Sequence, residues 1–301
     1  MKKFNSKKIN PALIISLLLL GLVIMAGCQR TNDKSSSNAS TQTEKTTQTS
    51  DAPKKSTTPT LFFHGYSGTV NSFKGMLQRL EEKQLAKQSL QLTVSPDGTV
   101  QATGKLSQQA ENPMIQVLFT DNVNNEWNQT EWIKNCLTYL QTTYGVEKVN
   151  VVGHSMGGVS ALRYLVTYGQ ETSLPQVEKF VAIGAPFNDF TDDSAQTLTD
   201  ELANGPAVTS SRYQDYQQMI DNVPTQTKVL LIAGQLSQTD LSDGTVPLNS
   251  ALAVFALLTQ HGNQVKEKVI EGDNASHSML HENQEVDQLV QKFIWEENAA
   301  S

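Results

Sequence analysis

The sequence predicts an α/β domain: a mainly parallel central sheet with helices on both faces. Three observations carry that expectation. From Thr60 onward, short apolar runs alternate with segments of helical period. Only one pair of runs, either side of Pro96-Asp97-Gly98, carries a hairpin signal, so antiparallel pairing is the exception. One apolar run, 149–152, passes through a serine flanked by glycines straight into a helical stretch, 159–168.

The chain starts outside that domain. Lys2, Lys3, Lys7 and Lys8 precede an apolar stretch, 11–26, that ends at Gly27-Cys28. A charged start, a short apolar run and small residues read as a secretory signal. Met25-Ala26-Gly27-Cys28 also resembles a bacterial lipobox, in which Cys28 is diacylated and becomes the mature N-terminus; Met25 stands where leucine is usual. An uncleaved membrane anchor is the alternative. Either reading puts the rest of the chain outside the cytoplasmic membrane, with the membrane a partner through residues 1–28.

Residues 29–58 are mostly Ser, Thr, Gln, Asn and Lys and show no apolar period. Such a segment buries too little surface to offset its ordering entropy, so a disordered tether is expected. Up to residue 58 the chain holds 9 Lys/Arg against 3 Asp/Glu, which leaves −13 of the net −7 on the remainder. A basic tether suits an anionic membrane surface, while an acidic domain is held off it and off nucleic acid. No basic, aromatic-laced patch suggests nucleic-acid binding.

Within the domain, 59–301, residues 61–64 read as a strand and 73–85 as a helix. Residues 90–94 and 100–106 form the hairpin, and 114–119 a buried strand. An amphipathic helix, 126–144, leads to the strand before the serine. Its apolar face includes Cys136, which predicts a buried, inert thiol and no disulfide framework in a chain of two cysteines. Later strands are expected at 179–183, 229–233 and 265–270. Val286, Leu289, Val290, Phe293 and Ile294 mark a final helix.

Val152-Gly153-His154-Ser155-Met156-Gly157-Gly158 places Ser155 in a Gly-x-Ser-x-Gly frame between strand and helix. A serine at the tip of so sharp a turn sits in strained backbone with its hydroxyl pushed outward. The residues two before and two after must then lack side chains, because strand and helix nearly touch. The helix also aims N-terminal amides where an oxyanion would form. A degenerate dinucleotide loop fits less well, because no acidic residue ends a strand about 20 residues later.

A serine hydroxyl needs a base, an acid to orient that base, and oxyanion donors. With this elbow they are expected in the order Ser, Asp or Glu, His, at the carboxyl ends of later strands. Three histidines follow Ser155. His261 precedes the last strand beside Gly262 and Asn263, which suggests an exposed turn. His277 follows that strand by a short loop and is the favoured base. His281 is the alternative base, and would otherwise cap the final helix or support the first histidine. For the acid, Asp243 in Ser242-Asp243-Gly244-Thr245-Val246-Pro247 lies past the strand ending near Ala233. Asp240 is the nearest competitor, and Asp273 precedes the histidine too closely. The oxyanion donors are expected to be the Met156 and Tyr66 amides, with Gly65 allowing close approach and His64 bracing the loop. His154 is expected to pack beside the turn.

These motifs, with Phe63-His64-Gly65-Tyr66-Ser67-Gly68-Thr69, Asn112-Pro113-Met114 and His277-Ser278-Met279-Leu280-His281-Glu282-Asn283, resemble the α/β-hydrolase superfamily. Within it, the chain is similar from about Pro59 to Glu296 to the exported hydrolases of Gram-positive bacteria known as DUF915. The resemblance implies Ser155 as nucleophile, Asp243 as acid and His277 as base, but supplies no natural substrate; the expected reaction is hydrolysis of a small-molecule carboxylic ester. It calls for no metal and no organic cofactor. Amide, thioester or acyl-transfer chemistry would use the same residues, and a non-catalytic lipid-anchored ligand-binding protein is the alternative outside the enzymes. The long stretch between the strands at 179–183 and 229–233 exceeds one loop and one helix. Residues from about 187 to 226, with scattered Phe187, Phe190, Leu198, Tyr213, Tyr216 and Met219, are read as a small cap insertion setting acyl access.

Overall fold

The computed structural model describes residues 55–190 and 196–296. The expected signal segment with Cys28, and the expected tether as far as residue 54, lie outside the described residues. Ser56, which sequence reasoning places in the tether, is held against the domain. Its amide donates to Asn112 Oδ1 at 2.7 Å, and its carbonyl accepts from the Asn112 amide at 2.9 Å.

Eight strands form one sheet in the order β3-β2-β4-β1-β5-β6-β8-β9. They are β1 (Thr60–Phe63), β2 (Lys87–Val94), β3 (Val100–Gly104), β4 (Pro113–Phe119), β5 (Lys148–His154), β6 (Gln176–Ile183), β8 (Lys228–Gln235) and β9 (Val265–Glu271). All pairings are parallel except β2 with β3, the expected hairpin. A ninth strand, β7 (Phe187–Phe190), stands outside this sheet.

Period-two burial explains why helices cover both faces. Leu61 and Phe63 of β1 face one core with Val151 of β5 and Leu231 of β8. Phe62, Val152 and Leu230 face the other. The first core packs against α2 (Glu126–Tyr144) and α3 (Met156–Tyr168). The second packs against α1 (Asn71–Glu82) and α8 (Gln284–Gln291). Helix α2 is bounded as its sequence suggests: the Asn125 side chain accepts from the Asn128 amide, and Gly145 ends the helix in left-handed backbone. Cys136 is buried on its inner face, where loss of hydration pushes the thiol pKa far up, as an inert thiol requires.

Between β1 and β5 the sheet changes its direction of growth. The chain moves from β1 to β2 and β3 on one side, returns through β4, and crosses to β5 on the other. The loops leaving β1 and β5 therefore flank a crevice at the carboxyl ends of the strands, the general location of ligand sites in open α/β sheets.

The insert and the segment after Asp243 hold helices that hydrophobic period alone does not reveal: α4 (Leu198–Asn204), α5 (Ser211–Gln218), α6 (Leu248–Leu252) and α7 (Val254–His261). Phe187, Tyr213 and Tyr216 of the insert are buried in the main core rather than in a core of their own. Buried charge fastens the same region. Glu126 at the start of α2 accepts from Arg163 Nε of α3 at 2.7 Å and from Arg212 Nε of α5 at 2.6 Å. Arg163 also reaches Asp215 at 3.1 Å, and Arg212 pairs with Asp189 of β7.

Candidate active site

Ser155 leaves β5 with φ +54° and ψ −126°. Left-handed backbone at a non-glycine residue costs of order 1–3 kcal/mol, so its neighbours must hold it. The Ser155 amide donates to the Ile183 carbonyl at 2.9 Å, and its carbonyl accepts from Gly158 and Val159. A Cβ on Gly153 would lie 2.5 Å from the Gly158 nitrogen, so this glycine admits the helix, as expected. A Cβ on Gly157 would strike the Phe63 carbonyl oxygen instead. The second glycine thus makes room for the end of β1 rather than for the elbow's own strand. Gly65 completes the close approach, since a Cβ there would lie 2.7 Å from Ser155 Cβ.

The structure brings the three separated side chains together. His277 Nε2 lies 2.9 Å from Ser155 Oγ, and His277 Nδ1 lies 2.7 Å from Asp243 Oδ2. Asp243 is buried, and its Oδ1 accepts from the Thr245 and Val246 amides at 2.9 and 2.7 Å. Those bonds occupy one carboxylate oxygen and leave the other for the imidazole. A carboxylate only accepts, so Nδ1 carries the proton and the Nε2 lone pair faces the serine hydroxyl. The loops are joined through backbone as well: the His277 amide donates to the Asp243 carbonyl at 2.8 Å. Asp240 and Asp273 take no part, being exposed, with Asp240 accepting from Ser242 Oγ in its own turn.

The other histidines divide into supports and bystanders. His64 braces the loop after β1, as expected: its Nδ1–H donates to the Gly65 carbonyl at 2.8 Å, and its Nε2 accepts from the Phe119 amide at 3.1 Å. His154 is buried, and its Nε2–H donates to the His277 carbonyl at 2.9 Å. His281 packs edge-on against His154, with ring centroids 4.8 Å apart. His261 corrects the expectation of an exposed turn. It ends α7 largely buried, and its Nε2–H donates to the Val223 carbonyl at 2.9 Å, because Gly262 closes the helix. Sequence reasoning gives no role to Arg79 of α1. Its guanidinium grips Asp287 with two hydrogen bonds, Glu282 with a third and the His281 carbonyl with a fourth, securing the segment after His277. A lone arginine on a helix carries no local signal for such a contact.

Met156 is the first residue of α3, and Tyr66 follows Gly65, which abuts Ser155. Neither amide donates to a backbone carbonyl among the described residues. Among the described residues, no group of three or more His, Cys, Asp or Glu side chains is arranged to hold a metal ion.

Burial depresses the pKa of His154, strongly, and those of His64 and His281. At His154 the facing rings of His277 and His281 act in the same direction. A depressed pKa means the unfolded chain takes up protons that the folded one refuses. Stability from these groups is complete above about pH 6.5 and falls as pH drops below it, each contributing up to about 1.4 kcal/mol per pH unit. Thermal unfolding should therefore shift down between pH 7 and pH 5, with a shallower slope in His154→Asn. An equal slope in that variant would refute the role of His154.

A family model described as an alpha/beta hydrolase of unknown function, DUF915, matches residues 46–297. The chain belongs to this family. Among solved structures, the lin2722 product of Listeria innocua is similar at 28% identity and a TM-score of 0.75, over 81% of this chain and 95% of its own. A protein of Lactobacillus plantarum WCFS1, provisionally described as a cell surface hydrolase, is similar at 24% identity and a TM-score of 0.65, over 79% and 91%. A search of the curated proteins finds no match. The DUF915 match and the sheet together establish the α/β-hydrolase fold, and membership of a hydrolase family supports hydrolase activity.

Proposed function

We propose that the protein is an exported serine hydrolase that cleaves carboxylic esters. One observation carries the reading: the His277 ring bridges the Ser155 hydroxyl and the Asp243 carboxylate at 2.9 and 2.7 Å. In this mechanism His277 Nε2 removes the hydroxyl proton as Ser155 Oγ bonds to the ester carbonyl carbon. Asp243 holds the imidazole and stabilises its cationic form. The tetrahedral oxyanion takes hydrogen bonds from the Met156 and Tyr66 amides. Collapse breaks the carbon–oxygen bond to the alcohol, which leaves with the proton from His277. Water, deprotonated by His277, then attacks the acyl-enzyme and releases the acid and Ser155. The chemistry draws on no metal or organic cofactor.

The insert, 187–226, would set acyl access from one side. It begins just past Gly184, where a Cβ would lie 3.0 Å from Asp243 Oδ2 and 3.4 Å from His277 Nδ1. Its large aromatics are mostly committed to the core, so short and medium acyl chains fit this reading first.

Export through the signal, with lipid on Cys28, completes the proposal. The L. plantarum relative's description agrees with a surface location. In intact cells, a fluorophosphonate probe should label the protein at Ser155, and the labelled protein should fractionate with membranes. Cys28→Ala should move it to the medium or leave its signal uncleaved. Absence of labelling would favour a non-catalytic ligand-binding protein, and unchanged fractionation of a processed Cys28→Ala chain would remove the lipid anchor.

A further inference from the structure

The eight exposed large apolar side chains of the described residues share one end of the sheet. Tyr66 follows β1, Trp127 follows β4, Phe190 ends β7, Leu241 follows β8 and Met279 follows β9; the other three lie on the same segments or in the insert. None lies on the loops at the opposite end. Tyr66, Trp127 and Phe190 are 59%, 58% and 62% exposed, so they stand out from the surface rather than lining a closed pocket.

Hydrogen bonds and ion pairs link these segments into a rim around Ser155. The Ser67 amide donates to the Asn122 carbonyl at 2.7 Å, joining the loops after β1 and β4. Arg212 joins Glu126, next to Trp127, to Asp189, next to Phe190. The Asn188 amide donates to Ser250 Oγ at 3.2 Å, and the Leu248 amide to the Leu241 carbonyl at 2.9 Å. The His277–Asp243 backbone bond joins the last two loops.

The charge on this rim narrows what it meets. Its segments contain no lysine, and Arg212 is neutralised by Glu126 and Asp189, while Asp121, Asp240 and Asp273 add negative charge. An anionic surface is repelled. An uncharged apolar one is attracted, because amphipathic aromatics favour a water–apolar boundary.

We propose that this rim docks on the surface of an aggregated, uncharged ester, so that the protein takes its substrate from droplets rather than from free solution. The inference rests on the ester-hydrolase reading of Ser155. Docking removes Tyr66, Trp127 and Phe190 from water while presenting the crevice to the ester groups.

The test uses the full chain and tributyrin, below and above its solubility limit. Turnover should rise steeply once droplets form. In Val123→Ser/Leu241→Ser, both exposed on the rim and outside the insert, the droplet rate should fall about tenfold, with turnover of dissolved ester within about twofold of the parent. Equal losses on dissolved and droplet ester would overturn docking in favour of simple substrate contact. A second measurement needs no turnover. Trp127 is the exposed tryptophan of the described residues, Trp132 and Trp295 being buried. In the Ser155→Ala chain its emission should shift to the blue with tributyrin droplets, and the shift should vanish in Trp127→Phe. A shift with phosphatidylglycerol vesicles and none with droplets would overturn the assignment in favour of a membrane. No turnover of any ester by the parent chain, with the droplet shift intact, would sink the ester-hydrolase reading and leave the docking surface standing.

Discussion

Ser155→Ala should lower kcat on a chromogenic ester at least about 10⁴-fold, with little change in KM. The hydroxyl is the atom His277 Nε2 faces, so its removal abolishes the acyl-enzyme route while leaving the oxyanion donors and the crevice in place. Asp243→Asn is the informative companion. An asparagine amide still accepts from the Thr245 and Val246 amides through one oxygen, so the turn is preserved. It no longer fixes the proton on Nδ1, and a loss approaching 10⁴-fold is expected from the wrong tautomer alone. Ser155→Ala protein retaining even a tenth of parental turnover, with contaminating esterases excluded, would mean that the nucleophile lies elsewhere.

Glu126→Ala should cost about 3–5 kcal/mol of stability, because both arginines that hold the carboxylate lose their shared counter-charge inside the protein. For a domain of this size that is a fall in thermal midpoint of about 10 °C. Arg163 is almost wholly buried, with Trp127 and Tyr216 rings 4.9 and 5.4 Å from its Cζ, so water cannot readily replace the lost partner. Removing Arg163 as well, by Glu126→Leu with Arg163→Met, should recover much of the loss, since apolar groups need no partner. Differential scanning calorimetry of the single and double variants reads both effects. A single variant within 1 °C of the parent would show that the carboxylate contributes nothing net.

Much of the fold is legible in the sequence because the central strands β1, β4, β5, β6 and β8 are covered on both faces, so each holds a compact apolar run. Helix α2 is legible for its length, period and terminal Gly145. The short helices α4 to α7 are not, because five to eight residues give too little period to separate from a loop. The insert's place in the core was hidden for a related reason. Phe187, Tyr213 and Tyr216 are spaced irregularly and become neighbours only once the chain folds back. At the candidate site, the elbow announces Ser155 because its glycines answer local steric demands. Asp243 and His277 are legible only through chain order and their loops after strands. His154 and Arg79 bear on the site through a backbone carbonyl and a distant carboxylate, contacts that leave no trace in local spacing.

The bond from the His277 amide to the Asp243 carbonyl has a consequence for how the site fluctuates. Imidazole and carboxylate ride on one tied pair of loops, while the hydroxyl is carried by the tip of β5. Thermal motion of the pair therefore moves both groups in concert. The tip of β5 is coupled to that pair through His154, whose Nε2–H donates to the His277 carbonyl, so the gap between ring and hydroxyl, across which the proton must pass, rests on this single buried imidazole.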